Sequence, residues 1–307
     1  MTDLGIVIVN YNTRDLLRTC LQTVSASRGD FTFEVCVVDN CSSDGSAEMV
    51  AAEFPQVHRI VNAENRGYPA ANNQGLRLMG YPDDPQAPRY ALLLNPDTEL
   101  PPDGLAKMLA FMDAHPEAGV AGPKLVRQDG SLDLACRRSF PSPEVSFYRF
   151  SGLARLFPKS PRFGRYNMTY LDPDVMTEVD AVVGAFMMVR REAIAQVGLM
   201  DEGFFMYGED LDWCYRIKAA GWKVYYNPEV TVLHIKRAAS GRNARAQVEF
   251  WRAMDHFYRK HYAAQTPWPL HVLILAAIWG RTMLERWRWR LAGVVAGSRK
   301  QVGRWRV

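Results

Sequence analysis

Four positions in this 307-residue chain place polar or acidic side chains directly after apolar runs. Asn10 and Asn12 follow Leu4 to Val9, Asp39 follows Phe33 to Val38, and Asn65 lies beyond His58 to Val61. Asp97 follows Tyr90 to Leu94, within Leu-Leu-Leu-Asn95-Pro96-Asp97. A carboxylate at such an edge suits a hard divalent cation, Mg²⁺ or Mn²⁺, shared with phosphate oxygens. The same residue types also cap helices and make turns, so each position taken singly has a structural alternative. A second acidic group is Gly208-Glu209-Asp210-Leu211-Asp212-Trp213. Acids at a helix start interact favourably with the helix dipole. Behind the aromatic, glycine-rich stretch Gly203 to Gly208, one of them could instead sit partly desolvated and serve as a general base. His234 follows Thr231-Val232-Leu233, and the other five histidines show no metal-ligand spacing.

The elements that must position these residues alternate in type. Leu4 to Val9 and Phe33 to Val38 are continuous apolar runs, as expected of strands buried on both faces. Between them, Leu16, Leu17, Cys20, Leu21 and Val24 recur at helical spacing, with Thr13 placed to cap. Ser43 to Ser46 predicts a turn before a helix ending near Phe54; His58 to Val61 predicts a strand. A helix opens at Pro69, a strand covers Tyr90 to Leu94, and a helix runs from about Asp103 to His115. This alternation predicts βαβ crossovers and a mainly parallel sheet, with ligands beyond the carboxyl ends of its strands.

Past Val120 the pattern changes. Gln128 to Ser131 predicts a hairpin turn between short strands. Residues 141 to 178 are rich in Pro, Arg and aromatics without a period, which predicts a long loop or cover. Strands are expected over Val179 to Val189, Lys223 to Tyr226 and Val230 to Leu233, and helices from Glu209 and from Gln247 to Tyr262. There is no GxGxxG after a strand and no GxxxxGK[ST], so neither a dinucleotide fold nor a P-loop is supported.

These quoted segments resemble one family when taken together. Ile6 to Asn12, Val37 to Asn40 with Ser42 to Gly45, Asn65-Arg66-Gly67-Tyr68 through Asn73, and Leu93 to Asp97 occur in the order of a family-2 inverting glycosyltransferase. Gly184-Ala185-Phe186, Gly208 to Trp213, Gly221-Trp222 and His234 extend the resemblance over about residues 4 to 240. Bacterial rhamnosyltransferases of cell-wall and surface-polysaccharide synthesis are similar in style. The resemblance implies a GT-A fold: a Rossmann-like, mainly parallel or mixed sheet flanked by helices over 1–240. A C-terminal helical segment would occupy 241–307.

The resemblance also implies roles. Val9 and Tyr11 would frame the nucleobase, Asp39 would contact base or ribose, and Asn65, Gly67 and Asn95 would line the nucleotide pocket. Asp97 would be the metal-binding acid of a DxD-type motif whose first acid is here Asn95, and His234 a second ligand. Asp210 would be the base, supported by Glu209, with Trp213 and Arg216 shaping the acceptor site. The implied reaction moves a sugar, rhamnose from dTDP-rhamnose among the options, to a hydroxyl of a glycan or polyprenyl-diphosphate-linked acceptor with inversion. Two alternatives are a sugar nucleotidyltransferase and a non-catalytic nucleotide- or membrane-binding scaffold. The first expects a Gly-rich basic loop after the first strand, where this chain has Asn10-Tyr11-Asn12-Thr13-Arg14.

Composition adds a location. Hydrophobic residues make up 48% and charged residues 23%, ordinary for a globular protein, so collagen, coiled coil and disordered polymer are excluded. Five scattered cysteines without a CxxC pair argue against a disulfide scaffold or structural zinc and fit a reducing compartment. Met1-Thr2-Asp3 lacks a basic n-region, so no signal peptide is expected. The net charge is +4, yet residues 281–307 hold seven Arg, one Lys and one Glu, for a local +7. Five of eight tryptophans also follow residue 267. The apolar stretch Trp268 to Trp279 contains Pro269 and His271 and is too short to span a bilayer. It reads either as a core helix or as the start of a basic, amphipathic, membrane-associating tail through Arg286, Trp287, Arg288, Trp289, Arg290, Arg299, Lys300, Arg304 and Arg306. The second reading places the protein in the cytoplasm, peripheral on the inner face of the plasma membrane. Nothing in the α/β body suggests nucleic acid, and the oligomeric state is left open.

Overall fold

The computed structural model describes residues 2–235 and 244–302, with side chains over 246–289 in the second stretch. Arg304, Trp305 and Arg306 of the tail lie outside the described residues, and only the backbone is described at Arg290, Arg299 and Lys300. The chain divides into two compact units. The larger comprises Met1–Glu202 and Glu209–Lys236; the smaller comprises Gly203–Gly208 and the C-terminal helices.

The larger unit opens with β1 (Leu4–Asn10), α1 (Arg14–Ser25), β2 (Phe33–Asp39), α2 (Ser46–Glu53), β3 (His58–Val61), α3 (Tyr68–Leu78) and β4 (Tyr90–Leu94). All seven residues of β1 are buried, which is why its apolar run is unbroken. In α1 the buried residues are Leu17, Cys20, Leu21 and Val24, the inward stripe of an amphipathic helix. Thr13 makes no side-chain cap to this helix; its hydroxyl donates instead to Asn10 Oδ1 at 2.6 Å. The four strands run parallel in the order β3-β2-β1-β4. Their register sets Asn10 beside Asp39, and Asp39 beside Val61.

Next come β5 (Thr98–Glu99), α4 (Gly104–Ala114) and β6 (Ala118–Val126). The turn at Gln128 to Ser131 forms as expected, but its second arm is a single bridge from Val126 to Leu132. Residues 141–178 are not a long loop. They hold α5 (Pro143–Phe150), whose first turn is capped by Ser142 Oγ accepting from Val145 N–H, and α6 (Leu153–Leu156). Helices of 8 and 4 residues are too short to print a 3.6 period. The expected strand Val179 to Val189 is two strands, β7 (Thr177–Val179) and β8 (Phe186–Arg190). Buried loop residues Ala181, Val182 and Ala185 between them explain the continuous apolar run. After α7 (Arg191–Val197) and α8 (Glu209–Ala219), the two late strands merge into β9 (Lys223–His234).

The nine-stranded sheet runs β3-β2-β1-β4-β8-β6-β9-β5, with β7 also on β9. It is mixed, because β8 is antiparallel to both β4 and β6. The smaller unit holds α9 (Ala244–His261) and α10 (Trp268–Val302). Tyr258 Oη and His271 Nδ1 lie 2.9 Å apart, and Arg281 sits 5.9 Å over the Trp251 ring, joining the two helices. The apolar stretch and the basic segment form one helix of 35 residues, and no described helix is long and apolar enough to cross a membrane.

Candidate active site

Three groups of side chains gather at the carboxyl ends of the sheet strands and the start of α8. At β1 and β2, Asn10 Nδ2 donates to Asp39 Oδ2 and to Ser42 Oγ, both at 3.0 Å. Ser42 N–H donates to Asp39 Oδ1 at 2.8 Å. Asn10 and Asp39 are buried, so Asp39 acts here as the anchor of the loop after β2. Val9 is also buried, whereas the Tyr11 side chain is exposed and free to cover a planar ligand. Asn40 ties the second loop: its Nδ2 donates to Asn65 Oδ1 at 3.0 Å and to the Gly67 carbonyl at 3.2 Å. Gly67 has φ 84°, a conformation that favours glycine, so its place in the turn before α3 is set by backbone sterics. Asn95 holds its turn through its backbone: its N–H donates to the Ala185 carbonyl and its carbonyl accepts from Thr98 Oγ1.

The second group is Asp97, His234 and Asp133. Antiparallel pairing of β5 with β9 sets Thr98 opposite His234, and this brings Asp97 Oδ1 to 3.4 Å from His234 Nε2. On the other side of the ring, Nδ1 lies 2.9 Å from Asp133 Oδ2. Burial alone would lower the His234 pKa, but hydrogen bonds to Asp133 and Asp97 and their charges outweigh it and push it up to about 9. Asp133 is a buried acid that fixes which ring nitrogen faces Asp97, the carboxylate–histidine arrangement common behind metal-ligating histidines. Once Nε2 gives up its proton, this carboxylate oxygen and imidazole nitrogen form a donor pair that would fit Mn²⁺ better than the oxygen-seeking Mg²⁺. Among the described residues no cluster offers three protein ligands.

The third group surrounds Asp210. Its Oδ2 accepts from Arg138 Nη2 at 2.7 Å and from Gly184 N–H at 3.2 Å, while Oδ1 accepts from Leu211 N–H at 2.8 Å. A carboxylate offers about four lone-pair sites, so three are filled and one remains on Oδ1. Arg138 is buried with Asp210, whose charge outweighs desolvation and holds the guanidinium protonated. Tyr68 Oη donates to the Gly184 carbonyl at 2.9 Å. A β-carbon at Gly184 would lie 3.0 Å from that hydroxyl, tight enough that Tyr68 would have to shift by a few tenths of an ångström. Beside Asp210, Glu209 is buried and its Oε2 has no hydrogen-bond partner. Burial first, and the neighbouring Asp210 charge second, push the Glu209 pKa up to about 8.

Two expected site residues are not in this constellation. The Trp213 side chain is fully buried, its indole N–H donating to the Gly198 carbonyl at 2.9 Å. Arg216 pairs with buried Asp212 at 2.9 Å and donates to the carbonyls of Val197 and Leu199. Both therefore clamp the turn after α7. Trp213→Ala is expected to destabilise the protein by about 3–5 kcal/mol, the usual loss for emptying a buried tryptophan site. Urea melts check this; wild-type stability with lost turnover would return Trp213 to the acceptor site.

The solved structures show the same fold. GalNAc-T7 with UDP, GalNAc and Mn²⁺ superposes with TM-score 0.57 at 17% identity over 87% of this chain, and S. aureus TarS with 0.54 at 15% over 91%. This chain spans 52% and 43% of those two chains, so the likeness establishes a GT-A architecture alone. Among curated proteins, N-acetylglucosaminyl-diphospho-decaprenol L-rhamnosyltransferase of Mycobacterium tuberculosis (strain ATCC 25618 / H37Rv) is 31% identical, covering 79% of this chain and 80% of that protein. Rhamnosyltransferase WbbL of Escherichia coli (strain K12) is 25% identical, covering 75% and 82%. A model of the family described as Glycosyl transferase family 2 matches residues 5–198, and the chain belongs to that family.

Proposed function

We propose that this glycosyltransferase moves rhamnose from dTDP-rhamnose to a hydroxyl of a polyprenyl-diphosphate-linked glycan, with inversion, in one displacement. The observation that carries the mechanism is Asp210: three backbone and guanidinium donors hold its carboxylate, and one lone-pair site on Oδ1 is left for a proton. The sugar and acceptor assignments are supported by the two rhamnosyltransferase relatives, one of which is named for a decaprenol-linked substrate.

An acceptor hydroxyl is a poor nucleophile near neutral pH, and Asp210 Oδ1 takes its proton as it attacks. Arg138 and Gly184 N–H hold the carboxylate in one rotamer. Tyr68 holds the Gly184 carbonyl, in the peptide that follows this N–H. Tyr11 covers the nucleobase, with Val9 behind it, and the Asn40-Asn65-Gly67 turn and the Asn10-Asp39 pair hold the loops of the nucleotide pocket. A divalent cation held by Asp97 and His234 would offset charge on the departing diphosphate. Asp133 orients the His234 ring toward it.

A second reading of the base has its own observation: the unpartnered Oε2 of Glu209 beside Asp210. Glu209→Gln and Asp210→Asn compared at saturating acceptor separate the two.

The donor reading is tested by thermal shift with dTDP-rhamnose and other nucleotide sugars, with Mn²⁺ or EDTA. Asp97→Ala is expected to weaken Mn²⁺-dependent donor binding by at least 10–100-fold, the range for losing even an outer-shell partner. Donor binding indifferent to both EDTA and this substitution contradicts the metal role. The reading also includes a peripheral place on the inner face of the plasma membrane. Support comes from exposed Trp268, Trp279, Trp287 and Trp289 on α10, interleaved with arginines.

A further inference from the structure

The α5–α6 region of the catalytic unit carries aromatic and basic groups that the sugar-transfer chemistry does not use. In the larger unit Phe147 on α5 is 62% exposed, Leu156 on α6 70%, and Phe157, which follows α6, 47%. Phe147 and Phe157 are the two ends of one aromatic run. The Phe147 and Tyr148 centroids lie 6.0 Å apart, Tyr148 and Phe163 5.0 Å, and Phe163 and Phe157 5.5 Å. The interior ring Tyr148 is buried and Phe163 is half-buried, so the run is anchored while its two ends project to solvent.

The charge around it has one sign. From Pro143 to Tyr170 there are five cations, Arg149, Arg155, Lys159, Arg162 and Arg165, and one acid, Glu144. All five cations are exposed. Glu144 already faces Arg162 at 3.6 Å. Among the described residues no carboxylate lies within ion-pair distance of Arg155 or Lys159, which flank Leu156 and Phe157. Exposed apolar side chains set among unpaired cations are complementary to a surface with an apolar interior and an anionic face.

We propose that the α5–α6 region is a lipid-docking patch for an anionic bilayer, so that the catalytic unit makes its own membrane contact in addition to α10. The proposal rests on the reading that the acceptor is lipid-linked, and it supplies the surface that would keep the catalytic unit at the acceptor's headgroup. Aromatic rings favour the headgroup level, and each basic residue near anionic lipid strengthens partitioning roughly five-fold.

The test uses the full chain and co-sedimentation with phosphatidylglycerol/phosphatidylcholine vesicles at low salt. Arg155→Glu/Lys159→Glu is expected to weaken partitioning by about 30-fold or more. Leu156→Ser/Phe157→Ser is expected to weaken it by at least ten-fold, since several apolar carbons are withdrawn from lipid. Both variants replace exposed side chains, and unchanged melting confirms their folding. Trp287→Ser/Trp289→Ser is the comparison for α10, and its binding should fall independently of the other two. Wild type that stays in the supernatant, or a partition coefficient within two-fold of wild type in either α5–α6 variant, overturns the patch. Turnover on a short soluble acceptor should be the same in wild type and both variants. No transfer by any of them, with vesicle binding behaving as expected, would defeat the glycosyl-transfer reading and leave the patch standing.

Discussion

Asp210→Asn is expected to lower turnover at saturating acceptor by roughly two to four decades, the range for losing a positioned general base. Asparagine keeps the size and can still accept from Arg138 and Gly184 N–H through its one carbonyl oxygen. It has no acceptor left at the position of Oδ1, where the open lone-pair site lies. Donor binding should change little, because neither Asp97 nor His234 is among the hydrogen-bond partners of this carboxylate. The substitution also leaves the buried Arg138 without its counter-charge, and breaking a buried pair typically costs about 3–5 kcal/mol of stability. Asp210→Asn/Arg138→Gln removes both charges together. If turnover falls in the single variant only because Arg138 is orphaned, the double variant recovers it. If Asp210 is the base, the double variant stays slow. Wild-type turnover in Asp210→Asn would contradict the assignment outright.

The second large effect is a pH-dependent change in stability at Glu209. Its pKa rises from 4.5 to about 8 on folding, because burial and then the Asp210 charge disfavour its ionised form. Between these values the folded protein binds more protons than the unfolded chain. Stability contributed by the neutral carboxyl is therefore present at low pH and lost as pH rises through the window, by up to about 1.4 kcal/mol per pH unit. Glu209→Gln has no charge to desolvate. Its stability relative to wild type should be near zero at pH 5, grow steadily, and level off above about pH 8 at a few kcal/mol. Chemical denaturation across pH 5–9 measures this. A constant difference would show that Glu209 is ionised in the folded protein throughout that range. Turnover of Glu209→Gln should exceed that of Asp210→Asn; the reverse order supports the second reading of the base.

Much of the architecture is legible in the sequence because the parallel strands are buried on both faces. The runs at β1, β2 and β4 are therefore unbroken, and the polar residue that ends each run marks the ligand edge. The acidic start of α8 and His234 are legible too: the first opens a helix and the second ends a strand. Asp133 and Arg138 were not. Asp133 acts on a residue 101 positions away and Arg138 on one 72 positions away, and neither lies in a periodic segment. Side by side with Arg137, Arg138 reads as solvated charge until pairing around β7 and β8 buries it. The contacts of Trp213 and Arg216 with the turn that ends α7 are likewise not legible from their place beside the acidic motif; helical geometry turns both side chains toward it. Around residues 141–178 the elements are shorter than the period that would reveal them.

The claim at the centre of this account is single-step transfer from a nucleotide sugar with inversion. The most direct measurement is the anomeric configuration of the product made from dTDP-rhamnose and a polyprenyl-diphosphate-linked N-acetylglucosamine, read by the one-bond C1–H1 coupling in NMR. The expected product is a glycoside of configuration opposite to the donor, formed by wild type and at a rate roughly two to four decades lower by Asp210→Asn. A product that retains the donor configuration would contradict it.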